Sequence, residues 1–197
     1  ATTATRDEVV YTWKPAVLSG AWENVDNWTY DAAYDGDCAG YPHNAYATAD
    51  FTSLAPGESY VVTVGAAEHF ARFDVGTAAS AETSLEIRPA TGLDRAPATF
   101  QRIRVYGTVT LENLDLKVRA NADACVYPDA TLVLDGTVMS DSGNNPGWRI
   151  GNYDGGLPAT LVVRNGGCFI NYYWMNVASG SKILVDSGST FYRSNWD

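Results

Sequence analysis

Lysine is scarce in this chain of 197 residues, and positive charge is scarce with it. The lysines are Lys14, Lys117 and Lys182, and the 13 lysines and arginines are outnumbered by 23 aspartates and glutamates, which gives a net charge of -10. Nucleic-acid phosphates need a positively charged surface on the protein that binds them, and anionic membranes attract basic segments. The composition therefore argues against nucleic acid, membranes and, more weakly, strongly acidic polysaccharides, and we predict a neutral partner.

Cysteine is as rare as lysine. Cys38, Cys125 and Cys168 contain no C-x-x-C pair, and we interpret them as small buried hydrophobic side chains. No apolar run reaches the length of a membrane-spanning helix, and residues 1–6 lack the apolar region of a signal peptide. We expect a mature protein or an excised domain. Its tyrosine, tryptophan, threonine, asparagine and glycine content is typical of secreted or cell-surface proteins.

An internal repeat is the strongest positive signal. Six short segments have large aliphatic residues at their second and fourth positions, and their starts lie 22 to 29 residues apart. They are Val61–Val64, Ser84–Ile87, Thr108–Leu111, Thr131–Leu134, Thr160–Val163 and Lys182–Val185. Period-two alternation places both aliphatic positions on one face of a strand, and a unit this short must stack on others to bury that face. We predict an all-β, right-handed parallel β-helix, with a β-sandwich as the alternative.

Each repeat is predicted to contain a second strand. The candidates are residues 70–75, 100–105, 114–118, 148–150 and 172–177. Polar insertions at residues 140–147 and 153–158 lengthen the fourth repeat. Extra residues in a solenoid form loops on one face, which is often the binding face.

The first 58 residues show no clear repeat. They contain Trp13, Trp22 and Trp28 together with a turn-rich stretch at residues 31–42. Solenoids need atypical terminal units that cover the end of the core. We therefore predict one domain, in which residues 1–58 form an irregular N-terminal cap and residues 59–197 form stacked coils, and we place these aromatic residues in the core of the cap.

Two stretches resemble known proteins. The first comprises Gly20-x-Trp22, Asn27-Trp28, Tyr41-Pro42 and Ala49-Asp50-Phe51, and it resembles the opening of many bacterial surface β-solenoids. The second comprises Ile150-Gly151-Asn152, Ala159–Val163 and Gly166-Gly167, and it resembles the autotransporter-type passenger repeat. Together they touch most of the chain and concern the fold rather than an activity. An acidic, aromatic-rich β-helix of this size is also similar to the β-helical carbohydrate-binding modules of gut-bacterial xylanases, which implies xylan binding without catalysis.

The last two repeats contain a candidate aromatic platform. Trp174 and Trp196 each lie fourteen residues after the start of their repeat. Neighbouring strands are about 4.8 Å apart, close to the length of one sugar unit, so aromatic residues on successive repeats could meet successive sugar rings. If Met175 and Val177 face the core, then Tyr172, Trp174 and Asn176 share the outer face. The alternative is that Trp174 and Trp196 close the C-terminal end as a cap.

Polar side chains near this platform would bind sugar hydroxyls. The candidate carbohydrate-binding residues are Tyr172, Trp174, Trp196, Arg149 and Asn176, and Asn171 and Arg193 are placed to add polar contacts. We predict that Trp148 lies in the core and that Phe169 and Phe191 form a buried stack.

Two groups of acidic and amide residues could bind calcium, although neither completes a calcium-loop pattern. They are Asp31, Asp35 and Asp37, and Asp141, Asn144 and Asn145. We interpret them as solvated turn residues. We predict that no cofactor is required, and we leave open whether a calcium ion binds.

Catalytic signatures are few. Pectin-cleaving hydrolases of the β-helix fold resemble one another through N-x-D, D-D, G-H-G and R-x-K motifs, of which only Asn113-Leu114-Asp115 is present. The outer-face acids show no cluster, and His43 and His69 are isolated in the sequence. We predict a protein that is not an enzyme.

The leading functional prediction is a secreted module that binds a neutral plant polysaccharide of the xylan type and is covalently linked to glycoside hydrolase domains. The second is a structural or adhesive segment of a bacterial surface solenoid, and a polysaccharide lyase or glycosidase is the third. An exposed line of aromatic side chains would favour the first, and a flat polar surface the second.

Overall fold

The computed structural model describes residues 9–30, 40–43, 47–65, 68–70, 72–75, 83–100, 102–118, 124–141, 147–151 and 157–193. These residues form β-strands and one short 3₁₀ helix, Val25–Asn27. In chain order the strands are β1 Val9–Trp13, β2 Ser19–Ala21, β3 Trp28–Tyr30, β4 Ala47–Phe51, β5 Ser59–Val64, β6 Glu68–Phe70, β7 Arg72–Val75, β8 Ser84–Pro89, β9 Ala96–Phe100, β10 Ile103–Val105, β11 Thr108–Glu112, β12 Leu114–Val118, β13 Ala124–Val126, β14 Thr131–Asp135, β15 Val138–Asp141, β16 Trp148–Ile150, β17 Thr160–Arg164, β18 Cys168–Asn171, β19 Met175–Val177, β20 Lys182–Val185 and β21 Thr190–Arg193. The prediction of an all-β chain is confirmed.

The strands form three sheets. Sheet I has the order β19-β16-β13-β10-β7-β4-β1-β3, sheet II has β2-β5-β8-β11-β14-β17-β20, and sheet III has β21-β18-β15-β12-β9-β6. From β5 onward, successive strands enter sheets II, III and I in turn, and every strand from β7 onward pairs in parallel with the third strand before it. We call each set of three strands a repeat. Only the β1–β3 pair among the described strands is antiparallel.

The aliphatic ladders of sheet II lie at the centre of the core. Leu132 stands between Val109 and Leu161 in register, and all three side chains are fully buried. The predicted burial of the second and fourth positions is confirmed in the first five segments. It is wrong for the sixth, where Ile183 is half-buried and Val185 is 42% exposed, because no described strand follows β20 in sheet II.

The pairing of β5 with β8, which join the first two repeats in sheet II, has a different register from the predicted one. Val62 pairs with Ile87, and Tyr60 takes the place opposite Leu85. Strand β5 begins at Ser59, two residues earlier than the pattern indicates. A shift of two residues keeps every side chain on its own face, so the apolar alternation alone could not fix this register.

Each repeat has three strands where two were predicted. The predicted strand at residues 100–105 contains the end of β9 and all of β10, which belong to different sheets. The predicted strand at residues 172–177 contains one strand, β19, and the preceding strand β18 was not predicted. These corners lack the glycine-rich signals that mark the corner after sheet II, so the apolar pattern runs through them.

The corner after sheet II is formed by residues with a left-handed backbone conformation. Asn113, Gly136 and Asn165 occupy it in successive repeats with φ of 50°, 60° and 56°, a left-handed conformation that favours glycine and asparagine. Beside it, the buried Thr137 hydroxyl donates to the Leu111 carbonyl at 2.7 Å and accepts from the Leu114 N–H at 3.0 Å. These bonds tie one repeat to the next at the bend.

The N-terminal residues contain an aromatic core. Trp13, Trp22 and Trp28 are buried and surround Phe51, with ring centroids 4.9 to 5.9 Å apart. Each indole N–H donates to a backbone carbonyl at 2.8 Å. Burial and satisfied polar groups match the predicted role of these tryptophans as core residues.

Candidate functional site

An exposed tryptophan stands at the corner between sheets III and I. Trp174 directly precedes β19, and its backbone carbonyl accepts a hydrogen bond from the Trp148 N–H at 3.2 Å. The side chain is 40% exposed. The guanidinium carbon of Arg149 lies 6.0 Å from the centre of the indole, at the outer limit of a cation–π contact. The anchored backbone and the neighbouring cation together hold an aromatic surface at the protein boundary.

Gly147 sets the position of this indole. A Cβ at residue 147 would overlap the Cζ2, Cε2 and Cη2 atoms of Trp174, so the ring rests directly on the glycine backbone. No larger residue allows so close an approach without displacing the ring. Gly147, in the preceding repeat, therefore determines where the side chain of Trp174 can lie.

Two polar residues lie beside the tryptophan on the outer face of sheet I. Arg149 in β16 pairs in register with Asn176 in β19. Arg149 is exposed and Asn176 is half-buried, whereas Met175 next to it is buried. The predicted parity of β19 is therefore confirmed, and a cationic donor and an amide occupy neighbouring strands of one surface.

Two further exposed tyrosines contact each other near the end of the chain. Tyr172 is 43% exposed and meets Tyr192 edge to face, with ring centroids 5.9 Å apart and an interplanar angle of 64°. Tyr192, in β21, is 49% exposed and was missed from the sequence. The signal was present, because Phe191 was assigned to the core and the next residue must then face outward. We call Arg149, Tyr172, Trp174, Asn176 and Tyr192 the corner patch.

Other predicted site residues have different positions. Asn171 is fully buried, and its side-chain oxygen accepts from the Tyr173 N–H at 2.8 Å, so it shapes the corner instead of facing a ligand. Its place in the proposed binding surface is therefore wrong. Arg193 is exposed, and Trp196 lies outside the described residues.

The expected core aromatics are confirmed. Trp148 is 1% exposed and meets Phe169 edge to face at 5.2 Å. Phe169 and Phe191 stack at 5.2 Å with an interplanar angle of 9°, and Phe191 is partly buried. These rings support the corner patch from the inside.

A second aromatic pair lies at the corner after sheet I. Tyr106 and Tyr127 stack with centroids 4.2 Å apart and an interplanar angle of 19°, and both are half-buried. Each follows a buried valine that ends its strand, Val105 or Val126. This repeated Val-Tyr pair is the sequence signal that could have found them. Because the two rings cover each other, less aromatic face is left for a ligand than at Trp174.

Acidic side chains do cluster on the outer face of sheet II, contrary to the sequence-based expectation. Glu112 pairs in register with Asp135. Burial, and then the negative charge of Glu86, raises the pKa of Glu112. Arg88 pairs with Glu86 at 3.0 Å and Arg164 with Asp135 at 2.7 Å. Glu112 and Asp135 therefore lie side by side on neighbouring strands, with Arg88 near the first and Arg164 bound to the second. The positive charges of these arginines offset the repulsion between the two carboxylates.

Two cysteines and one histidine are the remaining candidates for chemistry whose side chains the structure describes. Burial raises the pKa of the Cys168 thiol, which disfavours the nucleophilic thiolate. Cys125 is buried, and Cys38 lies outside the described residues. The Nδ1 atom of His43 lies 3.1 Å from the backbone carbonyl of Tyr41, which is two residues earlier in the chain.

The predicted calcium groups fall largely outside the described residues. Asp31, Asp35, Asp37, Asn144 and Asn145 all lie in undescribed segments. Among the residues that the structure describes, no three histidine, cysteine, aspartate or glutamate side chains come together as a metal site.

These observations define an all-β protein with three largely parallel sheets and an exposed aromatic and polar patch at one corner. Comparison with protein-family models, curated proteins and solved structures found no match. No helix within the described ranges is long and apolar enough to cross a membrane.

Proposed function

We propose that the chain is a right-handed parallel β-helix. The support is the cyclic order of its strands, which enter sheets II, III and I in turn through five successive repeats. A connection between parallel strands of one sheet is right-handed in nearly all proteins, and here every such connection passes through the two other sheets. Stacking of the aliphatic ladders then buries a continuous core between the sheets.

We further propose that this β-helix is a non-catalytic module that binds a neutral plant polysaccharide of the xylan type. In this proposal it is secreted or displayed by a gut bacterium and is covalently linked to glycoside hydrolase domains. The observation that carries the proposal is Trp174, 40% exposed and seated on Gly147, with Arg149 and Asn176 beside it.

The chemistry of the corner patch suits a pyranose. The apolar face of a sugar ring stacks on an indole, and guanidinium and amide groups donate to or accept from its hydroxyls. The net charge of -10 disfavours a polyanionic glycan such as pectate. Tyr172 and Tyr192, which meet edge to face where the chain leaves β18, offer a second aromatic surface.

Replacing Trp174 with alanine tests the platform. We expect the loss of one stacking surface to cost about 1–3 kcal/mol of binding, by analogy with base stacking on aromatic side chains. That is roughly 5- to 150-fold in Kd. Retention on insoluble xylan, measured beside cellulose, mannan and pectin, should fall, while the melting temperature stays close to that of the parent. Tyr30→Ala, which removes an exposed aromatic ring at the opposite end of the chain, is the matched control.

Gly147→Ala provides an independent variant at the same site. It keeps the Trp174 indole but displaces it from its contact with the backbone of residue 147, because the added Cβ overlaps the ring. Reduced retention is expected here as well. Unchanged retention in both variants, or retention lost only through unfolding, would leave Trp174 as part of a structural cap and refute the platform.

The absence of catalysis is tested directly. We expect the isolated chain to release neither reducing ends nor unsaturated products from xylan, pectin or alginate, with or without calcium. Product formation that scales with protein concentration would favour a lyase or glycosidase instead. The Glu86–Glu112 neighbourhood would then be the first place to look, because the pKa of Glu112 is raised there and a pair of carboxyl groups is the basis of glycosidase chemistry.

The second candidate is a structural or adhesive segment of a surface solenoid. The observation that favours it is the exposed apolar end of the last repeat, where Val177 and Val185 are 40% and 42% exposed. Failure of glycan retention on every polysaccharide, with the fold intact, would support this alternative.

A further inference from the structure

The outer face of sheet I has a local charge opposite to that of the whole chain. One row of outer positions runs in register through β10, β13, β16 and β19, and it consists of Arg104, Cys125, Arg149 and Asn176. This row contains two cations and no acid, although the net charge of the chain is -10. Positive charge is therefore concentrated on this face, in the middle of the stacked repeats.

The equivalent face of sheet II is acidic. Glu112 and Asp135 pair there in register, and Arg164 binds Asp135 at 2.7 Å. On sheet I the row differs at Arg149, whose two neighbours in register, Cys125 and Asn176, are uncharged. The two sheets thus present surfaces of opposite character to solvent.

The two arginines of the row stand one strand apart, on either side of Cys125. Neighbouring strands are about 4.8 Å apart, so the Cα atoms of Arg104 and Arg149 are separated by roughly 10 Å. Cys125 is short and 6% exposed, and it fills little of the space between two long side chains. Guanidinium groups bind carboxylates through paired N–H donors, and a carboxylate has the size and charge to join two of them.

A pair of tyrosines borders this row. Tyr106 and Tyr127 follow Arg104 and Cys125 by two residues, and the Tyr127 N–H donates to the Val105 carbonyl at 2.8 Å, so the strands stay paired there. Two residues along a strand span about 6.6 Å, the scale of one sugar ring. A sugar whose carboxylate lies between the arginines is therefore within reach of the stacked phenol rings and their hydroxyls.

We propose that the outer face of sheet I binds a carboxylate substituent of the glycan between Arg104 and Arg149. The inference rests on the proposed xylan binding and names the class of xylan, one with a neutral main chain and uronic-acid side groups. A single acidic side group meets only the positive row, whereas a polyanion such as pectate would also meet the acids of sheet II. A sulfate ester on the glycan has the same charge, and the experiment separates the two.

The test compares three forms of one polymer in binding to the complete chain. They are a xylan with uronic-acid side groups, the same xylan after reduction of its carboxyl groups to alcohols, and the reduced xylan after sulfation. We expect reduction to weaken binding roughly 10-fold, the loss of one charge-assisted contact, and we expect high salt to diminish the difference. Tighter binding of the sulfated form than of the uronic form would assign the arginines to sulfate and overturn the carboxylate.

Variants locate the contact. Arg149→Gln should bind the uronic and reduced xylans equally, and Arg149→Lys should regain only part of the preference, since it lacks the paired donors. Arg88→Gln removes the same charge from sheet II, where Arg88 pairs with Glu86, and should leave the preference unchanged. Cys125→Asp supplies a carboxylate of the protein itself between the two arginines. It should abolish the preference without lowering the melting temperature, because opposite charges on neighbouring strands attract.

The outcomes separate this inference from the proposed function. Equal binding of the uronic and reduced xylans by the parent chain would overturn the carboxylate site and leave xylan binding in place. A preference that survives in folded Arg149→Gln would also overturn it, whatever the stability of Cys125→Asp. Binding of none of the three polymers would instead refute xylan binding itself, and the carboxylate site with it, because the reduced form reports the neutral main chain alone.

Discussion

Replacing Leu132 with aspartate is expected to abolish the folded state of the central repeats. The side chain is fully buried between its in-register partners Val109 and Leu161, which are uncharged and also fully buried. A carboxylate placed there must be buried unpaired or must open the core to water. The expected loss of unfolding free energy is about 4 kcal/mol or more, in the range that only such mechanisms reach.

A neighbouring substitution controls for the introduced charge. Thr131→Asp adds the same group one residue away on the outer face, where Thr131 is half-buried between Thr108 and Thr160. Urea denaturation followed by far-UV circular dichroism should show the control close to the parent and Leu132→Asp largely unfolded without denaturant. Equal effects of the two variants would contradict the ladder as the centre of stability.

The second large effect is expected at Trp28. Its ring lies within 5.5 Å of three aromatic neighbours, Trp13, Trp22 and Phe51, measured between centroids. Its N–H also donates to the Trp22 carbonyl at 2.8 Å. Trp28→Ala removes all these contacts, leaves a cavity and breaks the hydrogen bond to the Trp22 carbonyl, at a cost of about 3–5 kcal/mol.

Trp174→Ala is the matched control for this prediction. It deletes the same side chain from a site that is 40% exposed, so thermal unfolding should separate the two variants clearly. We expect a large drop in melting temperature for Trp28→Ala, with glycan retention affected only through unfolding. A Trp28→Ala protein as stable as the parent would show that the N-terminal aromatic cluster does not support the fold.

Much of the repeat could be predicted because sheet II has the simplest environment. Its strands largely alternate between core and outer face, with Val133 of β14 buried as an exception, and glycine or asparagine marks the corner that follows, as at Gly136 and Asn165. Sheet III was missed as a separate sheet because the corner between it and sheet I carries no such mark. The step from Phe100 to Ile103 passes through only Gln101 and Arg102, neither of which is a turn signal, so two short strands of different sheets were predicted as one.

The candidate site was predictable in part for the same reason. Parity from Met175 correctly assigns Asn176 to the outer face. Asn171 was misassigned because an asparagine at a corner can turn its side chain inward to bond the backbone, here the Tyr173 N–H. Tyr192 was overlooked although its parity relative to Phe191 was available.

The sequence by itself determined the all-β class, the repeat and the two faces of each sheet II strand, because alternation and turn residues are local properties of the chain. Only the tertiary structure decided the three-strand repeat, the register of β5 against β8 and the contact of Trp174 with Gly147 and Arg149. Those features depend on which residues lie side by side on neighbouring strands. A register shift of two residues, or an extra corner, leaves the local pattern unchanged while it changes every such neighbour.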